Sequence, residues 1–140
     1  IATETDAEVV ASDFNAAACR QARDRELQVV RADLVAPFRD GSFDPVAFNP
    51  PYLPTDPDNE WDDRMERALS GGESGREVID PFLDTVGRVL RPEGMVLLLV
   101  SSLTDFEAVV ARAEDNGFAV STVRQESYPF EVLSILRLDV

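Results

Sequence analysis

Short apolar segments alternate with amphipathic segments along this chain, and that alternation is what most constrains its fold. Strand patterns cover residues 7–12, 27–32, 43–48 and 95–100, and the last of these is apolar without interruption. Segments with helical spacing lie between several of them, as in proteins whose parallel strands are joined by crossover helices. We therefore expect an α/β fold with a mostly parallel sheet and helices on both faces.

Three helices are predicted between the strands, over about residues 15–25, 78–90 and 104–117. The second repeats apolar residues at helical spacing until an Arg-Pro-Glu-Gly sequence ends it. The third opens on Thr104 and Glu107, which have the spacing of a capping box.

The last two predicted strands, residues 119–123 and 132–138, are separated by about eight residues. A parallel crossover needs about a dozen residues or more. One of these strands should therefore run antiparallel and form a C-terminal hairpin with the other.

Composition excludes several kinds of chemistry. All 13 basic residues are arginine, and the sequence has neither lysine nor histidine. Histidine-based catalytic triads, histidine-ligated metals, lysine Schiff bases and the phosphate-binding lysine of a P-loop are therefore ruled out. The lone Cys19 cannot form an internal disulfide or a four-cysteine zinc site. We expect no metal site in this chain.

The chain is strongly acidic, with a formal net charge of −14. Acidic surplus combined with the absence of lysine is what we expect of a halophilic protein, because concentrated salt screens the repulsion between carboxylates. The alternative is an ordinary acidic domain with a basic partner.

The longest unbroken apolar run, residues 95–100, is far shorter than the roughly 20 residues that cross a bilayer. The opening sequence IATETDAEVV also lacks the pattern of a secretory signal. We therefore expect a cytoplasmic protein.

The most specific motif is Asn49-Pro50-Pro51-Tyr52, directly after the third predicted strand. Two prolines fix the backbone and remove two N–H donors, so carbonyl oxygens beside the Asn49 side chain are left as acceptors. Such a turn can hold both hydrogens of a planar NH2 group while Tyr52 covers one face of that group. The alternative is a rigid turn with a packed tyrosine.

With this motif the sequence resembles the class I S-adenosylmethionine-dependent methyltransferases. Within them it resembles the HemK/PrmC-like enzymes that methylate a glutamine of peptide-chain release factors at N5. The segments ALSGGESGREV at 68–78, LRPEG at 90–94 and VLSILRL at 132–138 are similar to the archaeal and eukaryotic branch. The resemblance implies that S-adenosyl-L-methionine is the cofactor and that the substrate is the Gly-Gly-Gln segment of a class I release factor.

The resemblance also implies roles for individual residues. Asp13 matches the acid that receives the ribose hydroxyls of the cofactor, and Asp33 matches the acid that binds the adenine amino group, with Leu34 beside it. Phe14 and Asn49 complete the expected cofactor site, and residues 49–52 form the expected catalytic motif. The alternatives are a helix N-cap for Asp13 and a turn-opening residue for Asp33.

One segment of the family pattern is missing. The family has a first strand and a glycine-rich loop, and no such segment precedes Ala7. We therefore expect residues 1–140 to be a single methyltransferase domain that lacks its N-terminal part. Gly71, Gly72 and Gly75 follow no strand and are predicted to form a hinge.

Relatives of the archaeal and eukaryotic branch work with a small zinc-binding activator subunit. The resemblance implies a heterodimer in which that subunit covers the edge strand that begins at Leu27 and ends at Ala32. Three other functions stay open: N6-adenine methylation of DNA or RNA, protein-lysine methylation, and a non-catalytic methyltransferase-like subunit.

Overall fold

The computed structural model describes residues 4–52 and 71–140. The chain divides into two compact units, Ile1–Phe38 and Arg39–Val140. That the two form one domain stays a prediction. Residues 53–70, most of the predicted loop between positions 49 and 76, lie outside the described residues.

The first unit is a strand-helix-strand motif. Strand β1 (Val10–Asp13) is followed by helix α1 (Ala16–Asp24) and strand β2 (Gln28–Arg31). The strands pair in parallel with Asp13 opposite Arg31, as the alternation of patterns predicted. Cys19 of helix α1 is buried.

The second unit contains a four-stranded sheet. Its strands are β3 (Val46–Phe48), β4 (Met95–Ser101), β5 (Ala119–Ser127) and β6 (Val132–Asp139), in the spatial order β3-β4-β6-β5. Strand β3 is parallel to β4, whereas β6 is antiparallel to both β4 and β5. Three strands therefore share one direction and one opposes them, which confirms the expected fold class and the C-terminal antiparallel hairpin.

In the described part of this unit, helices α2 (Ile79–Thr85) and α3 (Phe106–Asp115) accompany the sheet, and 3-10 turns at Val86–Val89 and Ser102–Thr104 lie beside them. The core is built from apolar side chains of both helices and of the two central strands. Its fully buried members include Ile79, Leu83, Val86, Val96, Leu98, Val100, Val109, Leu136 and Leu138. None of the described helices is long and apolar enough to cross a bilayer.

Several predicted elements have different bounds in the structure. Strand β1 begins at Val10 rather than at residue 7. In the segment 43–48, Phe43 makes a single bridge to Leu90 and the ladder starts only at Val46, because Pro45 has no N–H to donate. The predicted helix 78–90 is regular only to Thr85, whose hydroxyl donates to the Pro81 carbonyl, and it continues as a 3-10 turn.

The capping box predicted at Thr104 is wrong. Asp105 is the N-cap of α3, and its side chain accepts from the Ala108 N–H at 3.2 Å. The Thr104 hydroxyl is already engaged, since it donates to the Ser101 carbonyl at 2.7 Å. Thr104 therefore belongs to the 3-10 turn, and α3 starts one residue later than the motif indicated.

Candidate active site

The Asn49-Pro50-Pro51-Tyr52 turn, called the Asn49 turn below, leaves the sheet at the carboxyl end of β3. The strand is held there by Phe48, whose ring packs on that of Phe82 with centroids 4.2 Å apart. Pro50 is buried, whereas Asn49 is exposed and its amide has no hydrogen-bond partner among residues 4–52 and 71–140. The structure therefore fixes the backbone and leaves the polar side chain available.

The chemical capacity of this turn is that of an acceptor pair. Pro50 and Pro51 bring no backbone N–H, so the Asn49 side-chain oxygen and nearby carbonyls face no competing donor from the prolines. Tyr52 is half-buried, and its pKa is raised by this burial and by the negative charge of Glu131. The phenol beside the turn is therefore neutral at ordinary pH.

Gly75 packs closely against the Asn49 turn at the Tyr52 carbonyl. A Cβ added to this glycine would lie 2.8 Å from the Tyr52 carbonyl oxygen and 2.9 Å from Cγ2 of Thr104. Gly75 also has a φ of +73°, a region that favours glycine. The segment with Gly71, Gly72 and Gly75, which was predicted to be a hinge, is therefore closely packed. The Glu77 N–H donates to the Gly71 carbonyl at 2.8 Å across this segment.

Arg76, which follows Gly75, makes polar contacts with residues near the carboxyl end of β4. The Arg76 guanidinium donates to the Thr104 carbonyl at 3.3 Å and lies 3.8 Å from carboxylate oxygens of Asp80 and Asp105. The Ser101 hydroxyl, at the end of β4, donates to Glu131 at 2.7 Å. Sequence reasoning missed these residues because each acts through tertiary contacts between segments that are distant in the chain.

In the first unit, Asp13 ends β1 with an exposed carboxylate. Its Oδ1 accepts from the Asn15 N–H at 2.7 Å, and its Oδ2 has no protein partner in the described part of the chain. The helix is capped by Asn15, whose side chain accepts from the N–H groups of Ala17 and Ala18. The alternative that made Asp13 the N-cap is therefore wrong.

Phe14 and the residues after β2 complete this end of the first unit. The Phe14 ring is exposed, with the Arg31 guanidinium 6.0 Å from its centroid. Asp33 is exposed and does open a turn, since its carbonyl accepts from the Ala36 N–H at 3.2 Å. Leu34 follows with a φ of +50°, an uncommon and strained value for a residue with a side chain.

The predicted site residues thus fall in both units. Asp13, Phe14, Asp33 and Leu34 lie at the carboxyl ends of the paired strands β1 and β2, where ligands of open α/β sheets commonly bind. The Asn49 turn belongs to the second unit. Within the described ranges, no group of three or more cysteine, aspartate or glutamate side chains could hold a metal ion.

The whole fold matches solved methyltransferase structures. A chain of the E. cuniculi Mtq2-Trm112 complex, described as responsible for methylation of the translation termination factor eRF1, superposes with a TM-score of 0.74. It is 33% identical, and the match covers 94% of this chain and 71% of that one. A curated Methanocaldococcus jannaschii protein, provisionally named a protein N5-glutamine methyltransferase, is 38% identical over 96 residues. The chain belongs to the protein N5-glutamine methyltransferase family.

Further relatives of this methyltransferase chain agree with that assignment. Methyltransferase HEMK2 of Mus musculus is 30% identical over 138 residues, which cover 96% of this chain. A methyltransferase of Pyrococcus furiosus, at 17% identity and a TM-score of 0.65, shares the fold. No protein-family model matches the chain.

The methyltransferase chain spans only part of its curated relatives. The matched region covers 49% of the M. jannaschii protein and 63% of the mouse protein. The match to the M. jannaschii protein covers 69% of this chain, whereas the match to mouse HEMK2 covers 96% of it.

Proposed function

We propose that this protein transfers a methyl group from S-adenosyl-L-methionine to the N5 amide nitrogen of the glutamine in the Gly-Gly-Gln segment of a class I release factor. The observation that carries the proposal is the exposed Asn49 amide, held at the carboxyl end of β3 in a chain of this family. The names of the relatives, which refer to glutamine methylation and to eRF1, support the same substrate.

The acceptors of the Asn49 turn suit an amide nucleophile. An amide nitrogen is a weak nucleophile because its lone pair is delocalised into the carbonyl group. The Asn49 side-chain oxygen and the Pro50 carbonyl would each accept one N–H of the substrate amide and fix its orientation. These acceptors would favour lone-pair density on nitrogen as its bond to the methyl carbon forms and the methyl–sulfur bond of the cofactor breaks. The amide proton then leaves to solvent, so the site needs no strong base.

The first unit offers groups that fit the cofactor. S-adenosyl-L-methionine supplies an electrophilic methyl group when it is bound. The available Asp13 oxygen is an acceptor suited to a vicinal diol, and the exposed Asp33 carboxylate suits an exocyclic amine. Leu34 would add a backbone donor and apolar contact, and Phe14 would add an exposed ring.

An activator subunit is part of the proposal. The E. cuniculi relative was solved as a complex with Trm112. Among the described residues β2 pairs with β1 alone, and its Val29 and Val30 are only half-buried. We propose that a small zinc-binding activator covers the edge from Leu27 to Ala32, that the zinc belongs to the activator, and that the heterodimer works in the cytoplasm.

The competing substrates differ in charge. An adenine in DNA or RNA has the same planar NH2 group, but the net charge of −14 opposes binding of a phosphate backbone. Lysine ammonium groups bring three N–H donors, of which a two-acceptor turn satisfies two. The glutamine amide has two N–H donors, which match the two acceptors of the Asn49 turn.

The deciding experiment is methyl transfer by the full-length protein, with and without its activator, at about 1 M KCl, the salt concentration at which the Debye length is about 3 Å. The substrates are purified release factor and an adenine-containing oligonucleotide, and the readout is mass spectrometry of the Gly-Gly-Gln peptide. We expect one added methyl group on the glutamine, and a turnover about a hundredfold or more lower for Asn49→Ala, with unchanged cofactor affinity.

Gln21→Ala is the matched control, because it removes an equally exposed amide from helix α1. Its turnover should equal that of the wild type. Methylation of the oligonucleotide but not of the release factor would contradict the proposed substrate. Wild-type turnover in Asn49→Ala would remove Asn49 from the mechanism.

A further inference from the structure

The turn between β5 and β6 lies at the same edge of the sheet as the Asn49 turn. Strand β3 is parallel to β4, and β5 runs in the same direction because both β4 and β5 are antiparallel to β6. The carboxyl ends of β3, β4 and β5 therefore meet at one edge. The last pair of the hairpin ladder is Ser127 with Val132, next to the pair of Ser101 with Leu133. Residues 128–131, which connect Ser127 to Val132, therefore lie at that edge.

Two contacts join this hairpin to the carboxyl end of β4. Glu131 accepts from the Ser101 hydroxyl at 2.7 Å, and the Val132 N–H donates to the Ser102 hydroxyl at 2.9 Å. The charge of Glu131 also reaches Tyr52, since it contributes to the raised pKa of that phenol. Residues 128–130, called the hairpin tip below, therefore lie at the same edge of the sheet as the Asn49 turn.

Hydrogen bonds at the hairpin tip hold Tyr128 in a defined geometry. The Tyr128 N–H donates to the Glu131 carbonyl at 2.8 Å, and the Tyr128 hydroxyl donates to Glu126 at 2.8 Å. Pro129, between the two aromatic residues, restricts the backbone further. Rigid aromatic side chains lose little conformational entropy when a partner binds them.

Exposed apolar surface is concentrated at this edge. Phe130 is 93% exposed, Tyr128 is 50% exposed, and Leu103 of the adjacent 3-10 turn is 44% exposed. Of the six large apolar side chains that are exposed in the described part of the chain, these are three. Single exposed apolar residues are ordinary, but a group beside a candidate active site is typical of an interaction surface.

We infer that the hairpin tip, through Tyr128 and Phe130, docks the protein segment that flanks the substrate glutamine. This inference rests on the proposed function and adds the specificity surface to it. The occupant is a protein loop that packs an apolar side chain on the two rings while its glutamine reaches the Asn49 turn. Exposed aromatic rings can also stack nucleobases, but Glu126 and Glu131 border this tip, and the Arg124 guanidinium is paired with Glu126. That charge favours a protein over a phosphate backbone.

The test compares steady-state methylation of intact release factor by wild-type protein, Tyr128→Ala, Phe130→Ala and Val140→Ala, each full-length and with its activator. Val140 is 68% exposed and follows β6 at the opposite edge of the sheet, so its truncation removes exposed apolar surface away from the site. We expect the KM for release factor to rise about tenfold in each tip variant, with kcat and the KM for S-adenosyl-L-methionine unchanged. Val140→Ala should match the wild type. Since the tip side chains are exposed, all variants should keep the wild-type melting temperature.

The outcomes separate the inference from the function on which it rests. Tip variants with a wild-type KM, in a protein that methylates release factor, would overturn the inference and leave the proposed function standing. A wild-type protein that does not methylate release factor would overturn both. A change of oligomeric mass in Phe130→Ala, measured by light scattering, would assign the tip to a contact between copies of the chain and overturn the docking role.

Discussion

At the scale of single residues, the site depends on a glycine that carries no functional group. Gly75 lets the backbone of residues 71–77 approach the Tyr52 carbonyl, because any Cβ at this position would lie 2.8 Å from that oxygen. Thr104 limits the space from another direction, with its Cγ2 at 2.9 Å. Because protein interiors are close-packed, an added Cβ at this position would displace the neighbouring atoms rather than fit into free space.

We therefore predict that Gly75→Ala displaces the Asn49 turn. The substitution should lower kcat for release factor about tenfold or more, because small displacements of positioning groups are costly to transfer reactions. It should also destabilise the fold by about 1–2 kcal/mol, since alanine is strained at positive φ. Steady-state kinetics and thermal unfolding measure the two effects separately.

Gly117→Ala is the control that separates strain from contact. Gly117 has a φ of +89°, and a Cβ there would meet no atom within 4 Å. This variant should show a similar loss of stability with unchanged kcat. Equal effects of both substitutions on kcat would refute the positioning role of Gly75.

The residues differ in how far the sequence could predict them. That Asn49 and Asp13 lie at strand ends was predictable, because each directly follows a strand pattern in the sequence. That Asn15 rather than Asp13 caps helix α1 could not be predicted, since both residue types favour the N-cap position. The support by Gly75 could not be predicted, because it depends on a contact with Tyr52 that no local pattern encodes.

At the scale of elements, the apolar periodicity predicted which segments are strands and helices, and local competition decided where they end. Proline without an N–H delayed β3, and the Thr85 hydroxyl ended the regular part of α2. Strand β5 continues to Ser127, beyond the predicted end at residue 123, because its pairing with β6 extends along an exposed edge. Antiparallel pairing was predictable from the short connection, whereas the length of that pairing was not.

Helices α2 and α3 are joined by a polar cluster. Asp84 accepts from Nε of Arg112 at 2.8 Å, from a second nitrogen of the same guanidinium, and from the Asn116 amide at 2.9 Å. The hydrogen bonds from Arg112, followed by that from Asn116, lower the pKa of Asp84 below its ordinary value of 3.8. Because the charged form is favoured in the folded state, Asp84 stabilises the fold above its unfolded pKa.

We predict that this stabilisation is lost in acid. Wild-type protein should have a higher free energy of unfolding than Asp84→Asn at neutral pH, and the difference should shrink as the pH falls from about 5 to about 2, through the lowered folded pKa. Denaturant unfolding at several pH values measures it. Asp40→Asn is the control, since that carboxylate is 79% exposed and accepts a hydrogen bond from Arg88 at 2.7 Å. A difference for Asp84→Asn that is independent of pH would contradict the assignment.

At the scale of the whole molecule, charge dominates. The 27 carboxylates exceed the 13 arginines by enough that pairing every arginine would still leave the chain with its formal charge of −14. The described ion pairs involve Arg76, Arg88, Arg112, Arg124 and Arg137. The remaining acidic groups repel one another, and this repulsion opposes the compact state.

We predict that added salt stabilises this protein. Raising KCl from about 0.1 M to about 1 M shortens the Debye length from about 10 Å to about 3 Å, so repulsion between surface carboxylates is largely screened. The melting temperature should rise over this range, as measured by circular dichroism. The triple variant Glu8→Gln, Asp24→Asn and Glu114→Gln, which neutralises three exposed carboxylates, should melt higher than the wild type at low salt and respond less to KCl. A general salting-out effect would raise both proteins equally, whereas charge screening makes their melting temperatures converge. A wild-type melting temperature that stays constant or falls would show that the acidic surplus is not an adaptation to concentrated salt.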